Sequence, residues 1–455
     1  MTTDVLVIGG SAAGLTAATT AKSFYPEKSV TLVRKEENVM IPCGIPYIFG
    51  TVGTSDKNIL PQAGLIQLGV EIKVDEVVEL DPVKKSAHTK GGEEICFDKL
   101  ILATGSMPSI PEWLKGTDLP NVFTIPKDKV YLDQLQKKLE QLKKVVVIGA
   151  GFIGVEVADE VNKKGHDVTV VEKLPSILGM AFDKELASAA LEKLTARGVA
   201  VKTGVGIQKI IGEGKVTGVL LDNGESLEAD AVILAMGYLP NSSLAKKAGL
   251  ELNEYGYIKT DLYKRTSLPG IFAVGDCSEK RDFLTGKLSK TMLASPACSE
   301  GRVAGLNLYA LDTVSTFRGT IGVYCTCIGD TAFGVAGLNE TAAAAEGFHI
   351  LTANFSGMDT HPGCFADSHQ QFVKLIVSKS SGVILGGEAI SGKSTGELMN
   401  VIGFAIQNKM TVNDLLVAQI GTHPMLTASP AGYPWAKAAE AAAKSLLYAA
   451  ADKLV

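Results

Sequence analysis

Residues 4–14 read DVLVIGGSAAG, an apolar run of strand length that ends in a glycine turn. Small residues continue through Ala21, and a second apolar run follows at 30–33. Residues 144–154 repeat this plan as KVVVIGAGFIG, followed by a Val-rich stretch at 155–164 and an apolar run at 168–172. Short continuous apolar runs predict buried strands, and the stretches between them predict helices. Each segment therefore predicts a βαβ unit of about 30 residues, the first half of a dinucleotide-binding fold. In both, the glycines fall between a predicted strand and a predicted helix, which chance explains poorly.

The pattern continues at 99–105 (KLILATG) and 231–237 (AVILAMG), apolar runs closed by small-residue turns. Such runs predict strands buried on both faces of a parallel sheet. Residues 127–143 carry leucines at helical spacing among charges and predict a connecting helix. The run IFAVGD after Gly270 leads to a loop and a Gly/Ala-rich helix near 297–308. From about Thr316 alternating patterns take over, with strands expected at 371–377 and 383–387 and helices at 396–407, 412–416 and 435–454. This third region has no glycine fingerprint and predicts an interface domain.

Composition narrows the class. A chain of 455 residues exceeds one core and suggests about three domains of roughly 150 residues. Charged residues at 20% and hydrophobic ones at 46% exclude a disordered chain. A net charge of −5 gives no basic field for nucleic acid. No apolar run approaches the roughly 18 residues of a membrane span, and no basic leader precedes the first strand. Seven cysteines are too sparse for a disulfide scaffold and point to a reducing cytoplasm. The close pair Cys325 and Cys327 has no second pair beside it, so no zinc finger or other metal site is expected.

The candidate chemistry begins at the glycine turns. Gly9, Gly10 and Gly14, with Ser11, Ala12 and Ala13 opening the helix, suit close approach of a pyrophosphate to a helix N-terminus. Gly149, Gly151, Phe152, Ile153 and Gly154 do the same in the second unit. A turn that serves only helix–sheet packing is the alternative in each case. Glu172 closes the second unit's second strand, followed by Lys173. A carboxylate there accepts from ribose hydroxyls and repels a 2′-phosphate, favouring NADH over NADPH. The equivalent place in the first unit holds Arg34, with Glu36 and Glu37 displaced beyond it.

Residues 39–50, VMIPCGIPYIFG, complete a set with GGSAAG at Gly9, ATG at Ala103, GAGFIG at Gly149 and AVGD at Ala273. Over almost its whole length the chain resembles the single-cysteine branch of the FAD- and NAD(P)H-dependent disulfide reductases. That branch includes coenzyme A disulfide reductase, NADH oxidase, NADH peroxidase and coenzyme A persulfide or polysulfide reductases. The resemblance implies an α/β fold with two Rossmann-like dinucleotide-binding domains and a C-terminal α+β dimerisation domain. Residues 1–114 and 250–315 would form a split FAD-binding domain, 115–249 the NAD(P)H-binding domain, and 316–455 the dimerisation domain of a homodimer. FAD would lie along the first glycine turn, Ala103, Thr104, Gly105, Gly275, Asp276, Ala294 and Ala297. The nicotinamide nucleotide would lie on the second turn, with Gly237 nearby.

The resemblance also implies that Cys43 is the redox thiol. Tyr47 stands where dithiol relatives carry a second cysteine, and Ala12 where peroxidase-type relatives carry a histidine. A helix N-terminus at Cys43 is expected to lower the thiol pKa; a buried structural cysteine is the alternative. Pro42 and Ile45 depart from the relatives' Asn and Leu. His423, in THPMLTASP at 422–430, resembles the histidine that reaches the partner's thiol site as acid or base, with a solvated loop histidine as the alternative. Lys22 is either a phosphate contact for coenzyme A or part of a solvated face. Cys325 and Cys327 are assigned to packing, with their thiols expected on opposite faces of a strand, and His361 and Cys364 to a loop. The implied activity is transfer of electrons from NADH through flavin and Cys43 to a small-molecule disulfide, persulfide or polysulfide. The alternatives are an NADH oxidase, or a reductase of a small electron-transfer protein such as a rubredoxin.

Overall fold

Three sheets organise the chain, whose computed structural model describes residues 1–311 and 316–451. The expected domain boundary at 315 and the last residues of the expected tail helix lie outside the described residues. The first sheet orders its strands Glu71–Val74, Val30–Arg34, Thr2–Ile8, Glu94–Leu102, Ser86–Thr89 and Val77–Asp81. Ile271–Ala273 returns from far along the chain to pair in parallel with Glu94–Leu102. The second sheet is parallel, in the order Ala200–Thr203, Asp167–Glu172, Lys144–Ile148, Ala231–Leu234 and Val122–Thr124. Val5, Val7, Val145 and Val147 are completely buried. Their strands are covered on both faces, which is why the sequence shows continuous apolar runs rather than alternation.

The two glycine turns are built alike. Gly9 and Gly149 adopt φ of +112° and +101°, where a side chain is strained. A Cβ there would lie 2.1 Å from the Ala103 carbonyl oxygen and 2.5 Å from that of Ala235. A Cβ on Gly14 or Gly154 would lie 1.8 or 1.9 Å from the carbonyl oxygen of the first glycine in its own turn. Each helix therefore starts hard against its strand. The strand ends ATG and AMG cross each turn at equivalent places.

The third sheet is antiparallel: Val323–Ile328, Thr331–Gly337, Ile384–Ser391, Gln370–Ser378 and Ile350–Met358. Helices Thr395–Gln407 and Pro434–Ala451 pack on it and share its core through Met399, Ile402, Trp435 and Ala438. The connecting helix is Lys129–Leu139, capped by the Asp128 carboxylate accepting from Tyr131 N–H at 3.0 Å. The Gly/Ala-rich helix starts earlier than expected, as Ala294–Leu306.

Two expectations need correction. Cys43 does not open an α-helix; it lies in the 3-10 turn Pro42–Gly44, followed by a second turn, Pro46–Phe49. Pro46 has no N–H to donate to the Pro42 carbonyl, so an α-helical hydrogen bond cannot form there. Cys325 and Cys327 both belong to the strand Val323–Ile328. Residues two apart on a strand share a face, so the pair does not point to opposite sides.

Candidate active site

A cavity of about 650 Å³ joins the two glycine-turn units. Ser11, Ala12 and Ala13 reach it from the first helix, and Phe152, Ile153 and Glu156 from the second. Cys43, Tyr47, Ala103, Gly105, Gly275, Asp276, Ala294 and Ala297 complete the wall that concerns the expected chemistry. The fold thus brings most of the expected flavin-side residues and the thiol to one space.

Asp276 is only 12% exposed and accepts from Ser106 Oγ and Lys127 Nζ, each at 2.8 Å. Burial alone would raise its pKa. The charge and hydrogen bond of Lys127, with that of Ser106, overcome burial and hold the carboxyl below the usual range. Thr104 faces elsewhere, its Oγ1 donating to the Asn241 carbonyl at 2.5 Å. Gly237, at φ +89°, accepts from Ser109 N–H at 2.9 Å outside the cavity wall.

Arg34 is buried and folds over the first turn: a Cβ on Gly10 would meet its Cδ at 2.6 Å. Its Nη2 donates to the Glu37 carbonyl at 2.8 Å and to Gln62 Oε1 at 2.7 Å. Its Nε is buried without a partner, and burial lowers the guanidinium pKa. Gly151 has open space where a Cβ would go. Glu172 stands at its strand end as expected, but both oxygens are engaged. Oε2 accepts from Ala150 N–H at 2.6 Å and Oε1 from Leu174 N–H at 2.8 Å, bracing the second turn. Lys173 is exposed.

The Cys43 side chain is exposed to the cavity, yet it sits deep enough that burial raises its thiol pKa. The Glu156 charge adds to this, against a smaller opposing pull from Lys127. The expected lowering is therefore not found, because no α-helix N-terminus stands behind the sulfur. His423 lies on an exposed loop, its Nδ1 accepting from Met425 N–H at 3.3 Å, and is not part of the cavity wall. Lys22 closes the turn after its helix by donating to the Pro26 and Lys28 carbonyls, both at 2.8 Å. It does not stand free for phosphates. His361 and Cys364 lie in a loop, where His361 Nδ1 meets the Thr427 carbonyl at 2.9 Å.

Sequence reasoning missed Glu156. Burial pushes its pKa up to about 7, although hydrogen bonds from Thr326 and Tyr47 pull the other way. Thr326 Oγ1 donates to Oε1 at 2.9 Å and Tyr47 OH to the same oxygen at 3.4 Å. The available signal was a lone carboxylate between Val155 and Val157, inside an otherwise apolar helix start. Cys325, also on the cavity wall, has its thiol pushed up to about 11 by burial.

Two glycine turns of nucleotide-binding type, whose helices reach one cavity with Cys43 on its wall, are the arrangement of a dinucleotide-dependent oxidoreductase. The family model for pyridine nucleotide-disulphide oxidoreductases matches residues 3–301, and that for their dimerisation domain matches residues 323–431. The chain belongs to this family, whose members are enzymes using FAD and NAD(P)H. It is 33% identical over 396 residues to a CoA-dependent NAD(P)H sulfur oxidoreductase of Pyrococcus abyssi, covering 86% of this chain and 87% of that protein. It is 31% identical over 453 residues to an NADH oxidase of Methanocaldococcus jannaschii, covering 97% and 99%. A solved NAD-dependent persulfide reductase from A. fulgidus superposes with a TM-score of 0.89 at 30% identity, covering 98% of this chain and 83% of that one.

The residues present fit a flavin nucleotide. Small side chains open the first helix into the cavity, the Asp276 carboxylate faces it, and the unpartnered Arg34 Nε lies over the first glycine turn. Among the described residues no helix is long and apolar enough to cross a membrane.

Proposed function

We propose that the protein is a homodimeric flavoprotein that uses NADH to reduce a small-molecule disulfide, persulfide or polysulfide of the coenzyme A type, with Cys43 as the exchanging thiol. The observation that carries this reading is the one cavity shared by Cys43, the first-helix residues Ser11–Ala13 and the second-helix residues Phe152–Glu156. The names of the Pyrococcus and A. fulgidus relatives support the sulfur chemistry. Residues 1–114 with 250–315 carry FAD, 115–249 the nicotinamide nucleotide, and 316–455 the dimer contact. All seven cysteines are free, which suits a reducing cytoplasm.

FAD would be held by Gly9, Gly10, Ser11, Ala12, Ala13, Gly14 and Arg34 at one end. Ala103, Gly105, Gly275, Asp276, Ala294 and Ala297 would hold the other; Thr104, turned to Asn241, would not. NADH would be held by Gly149, Gly151, Phe152, Ile153, Gly154, Glu172, Lys173 and Gly237. When bound, FAD supplies two-electron transfer between nicotinamide and sulfur. The chain's own part is acid–base and positional. The Cys43 thiol gives up its proton as its sulfur attacks one sulfur of the substrate; a mixed disulfide forms, the substrate S–S bond breaks, and the leaving sulfur departs protonated as the first product thiol. Glu156 is the acid within the chain, and His423, presented across the dimer, is the second. The two electrons of NADH return the mixed disulfide to the Cys43 thiol and a second product thiol. Overall, one disulfide, one NADH and one proton give two thiols and NAD⁺.

The Methanocaldococcus relative favours an NADH oxidase as the second reading. An NADH assay panel separates the two, comparing coenzyme A disulfide, coenzyme A persulfide, polysulfide, glutathione disulfide and peroxide without air, and oxygen apart. A coenzyme A disulfide or persulfide turning over fastest supports the proposal. Oxygen outpacing every sulfur substrate makes the protein an oxidase.

A further inference from the structure

Three charged side chains meet in the interior behind the Gly275–Asp276 turn. Glu300, on the helix Ala294–Leu306, is fully buried, and Lys264 and Lys280 are each 2% exposed. Glu300 Oε2 accepts from Gly275 N–H at 2.7 Å and from Ser278 Oγ at 2.9 Å. Lys280 Nζ donates to the Gly275 carbonyl and, at 3.2 Å, to that of Ser278. Lys264 Nζ donates to the Glu279 carbonyl at 3.0 Å. Both ammonium groups lie beside Glu300 Oε1, at 3.5 and 3.7 Å, and that oxygen accepts no hydrogen bond.

Both peptide groups of one glycine are therefore gripped by buried charges, the N–H by a carboxylate and the carbonyl by an ammonium. Gly275 itself sits at φ +76°, where a Cβ would come within 2.7 Å of Ala13 Cβ. The residue it presents next, Asp276, is on the cavity wall. Buried ion clusters are a poor way to stabilise a fold, since apolar residues of similar volume do as well or better. Two cations against one carboxylate also leave an excess positive charge behind the turn. Lys280 is among the charges that keep Asp276 ionised.

We propose that Glu300, with Lys264 and Lys280, forms a positioning cluster for the flavin nucleotide: it fixes the Gly275–Asp276 turn at the cavity wall and sets the charge behind it. The inference rests on the reading that this cavity takes FAD. Neither Glu300 nor the lysines line the cavity, so they act through the turn. The cluster thereby sets both how tightly flavin is held and how readily it accepts electrons.

The test measures FAD affinity and flavin midpoint potential in wild type, Glu300→Gln, Lys264→Met and the double variant. In Glu300→Gln the amide oxygen still accepts from Gly275 and Ser278, but the charge is lost. FAD should bind more weakly, on the order of tenfold, and the potential should move positive because both cations are unopposed. Lys264→Met removes one positive charge without touching Gly275, so its potential should move negative with a smaller loss of affinity. The double variant should return towards the wild-type potential while keeping the weakened affinity. Potentials unchanged in all three variants overturn the inference, as does wild-type affinity in Glu300→Gln. Should Glu300→Gln fail to fold, the Lys264→Met potential decides alone. A wild-type protein that binds no FAD would instead overturn the reading of the cavity.

Discussion

The Tyr47 hydroxyl stands 3.4 Å from Glu156 Oε1, across 109 positions of sequence. Tyr47 comes from the turn after Cys43, and Glu156 from the first turns of the helix that follows the second glycine turn. The contact joins the thiol segment to the helix after the second glycine turn on one cavity wall.

With a pKa raised to about 7, Glu156 is about half protonated at neutral pH and loses its remaining proton as pH rises. If it protonates the leaving thiolate, kcat/KM for the disulfide should fall above about pH 7. In Glu156→Gln this limb should disappear and the rate should drop by about 100-fold. A pH profile of the variant that keeps the same limb contradicts the assignment.

Glu156 also raises the Cys43 pKa, second to burial. Removing its charge should therefore lower that pKa. The pH dependence of iodoacetamide labelling at Cys43, followed by peptide mass spectrometry in the FAD-free protein, should shift to lower pH in Glu156→Gln. An unchanged or higher midpoint contradicts this.

Glu172 ties the second glycine turn to its strand through Ala150 N–H at 2.6 Å. Glu172→Ala should raise KM for NADH several-fold and narrow the preference over NADPH, since the repulsion of a 2′-phosphate is lost. Steady-state KM values for both nucleotides check this. A wild type that already prefers NADPH contradicts the reading.

Much of this was legible in the sequence because it is local. The turns at Gly9 and Gly149 are each encoded within one βαβ segment, and the strands around them are apolar throughout. The cavity wall is not local. Glu156 meets Thr326 across 170 positions, and Gly275 and Asp276 reach the wall at the end of Ile271–Ala273, a strand that returns to the first sheet from far along the chain. The thiol segment was misread because the apolar residues of CGIPYIFG suggested an α-helix, while Pro42 and Pro46 permit only short turns. At Cys325 and Cys327 the strand was right and its period of two was misapplied.

The loop carrying His423 and the helix end before it expose Val417 at 78% and Leu426 at 71%, within the stretch matched to the dimerisation domain. Val417→Asp with Leu426→Asp should shift the protein from dimer to monomer in sedimentation velocity and remove disulfide turnover. A monomer with full turnover contradicts the placement of His423 across a subunit boundary.

The central claim is that Cys43 alone carries electrons to the sulfur substrate. In FAD-loaded Cys43→Ala, NADH should still bleach the flavin absorbance at close to the wild-type rate, while reduction of coenzyme A disulfide falls to background. Disulfide turnover surviving in Cys43→Ala would contradict the account and move attention to Cys325 on the same cavity wall.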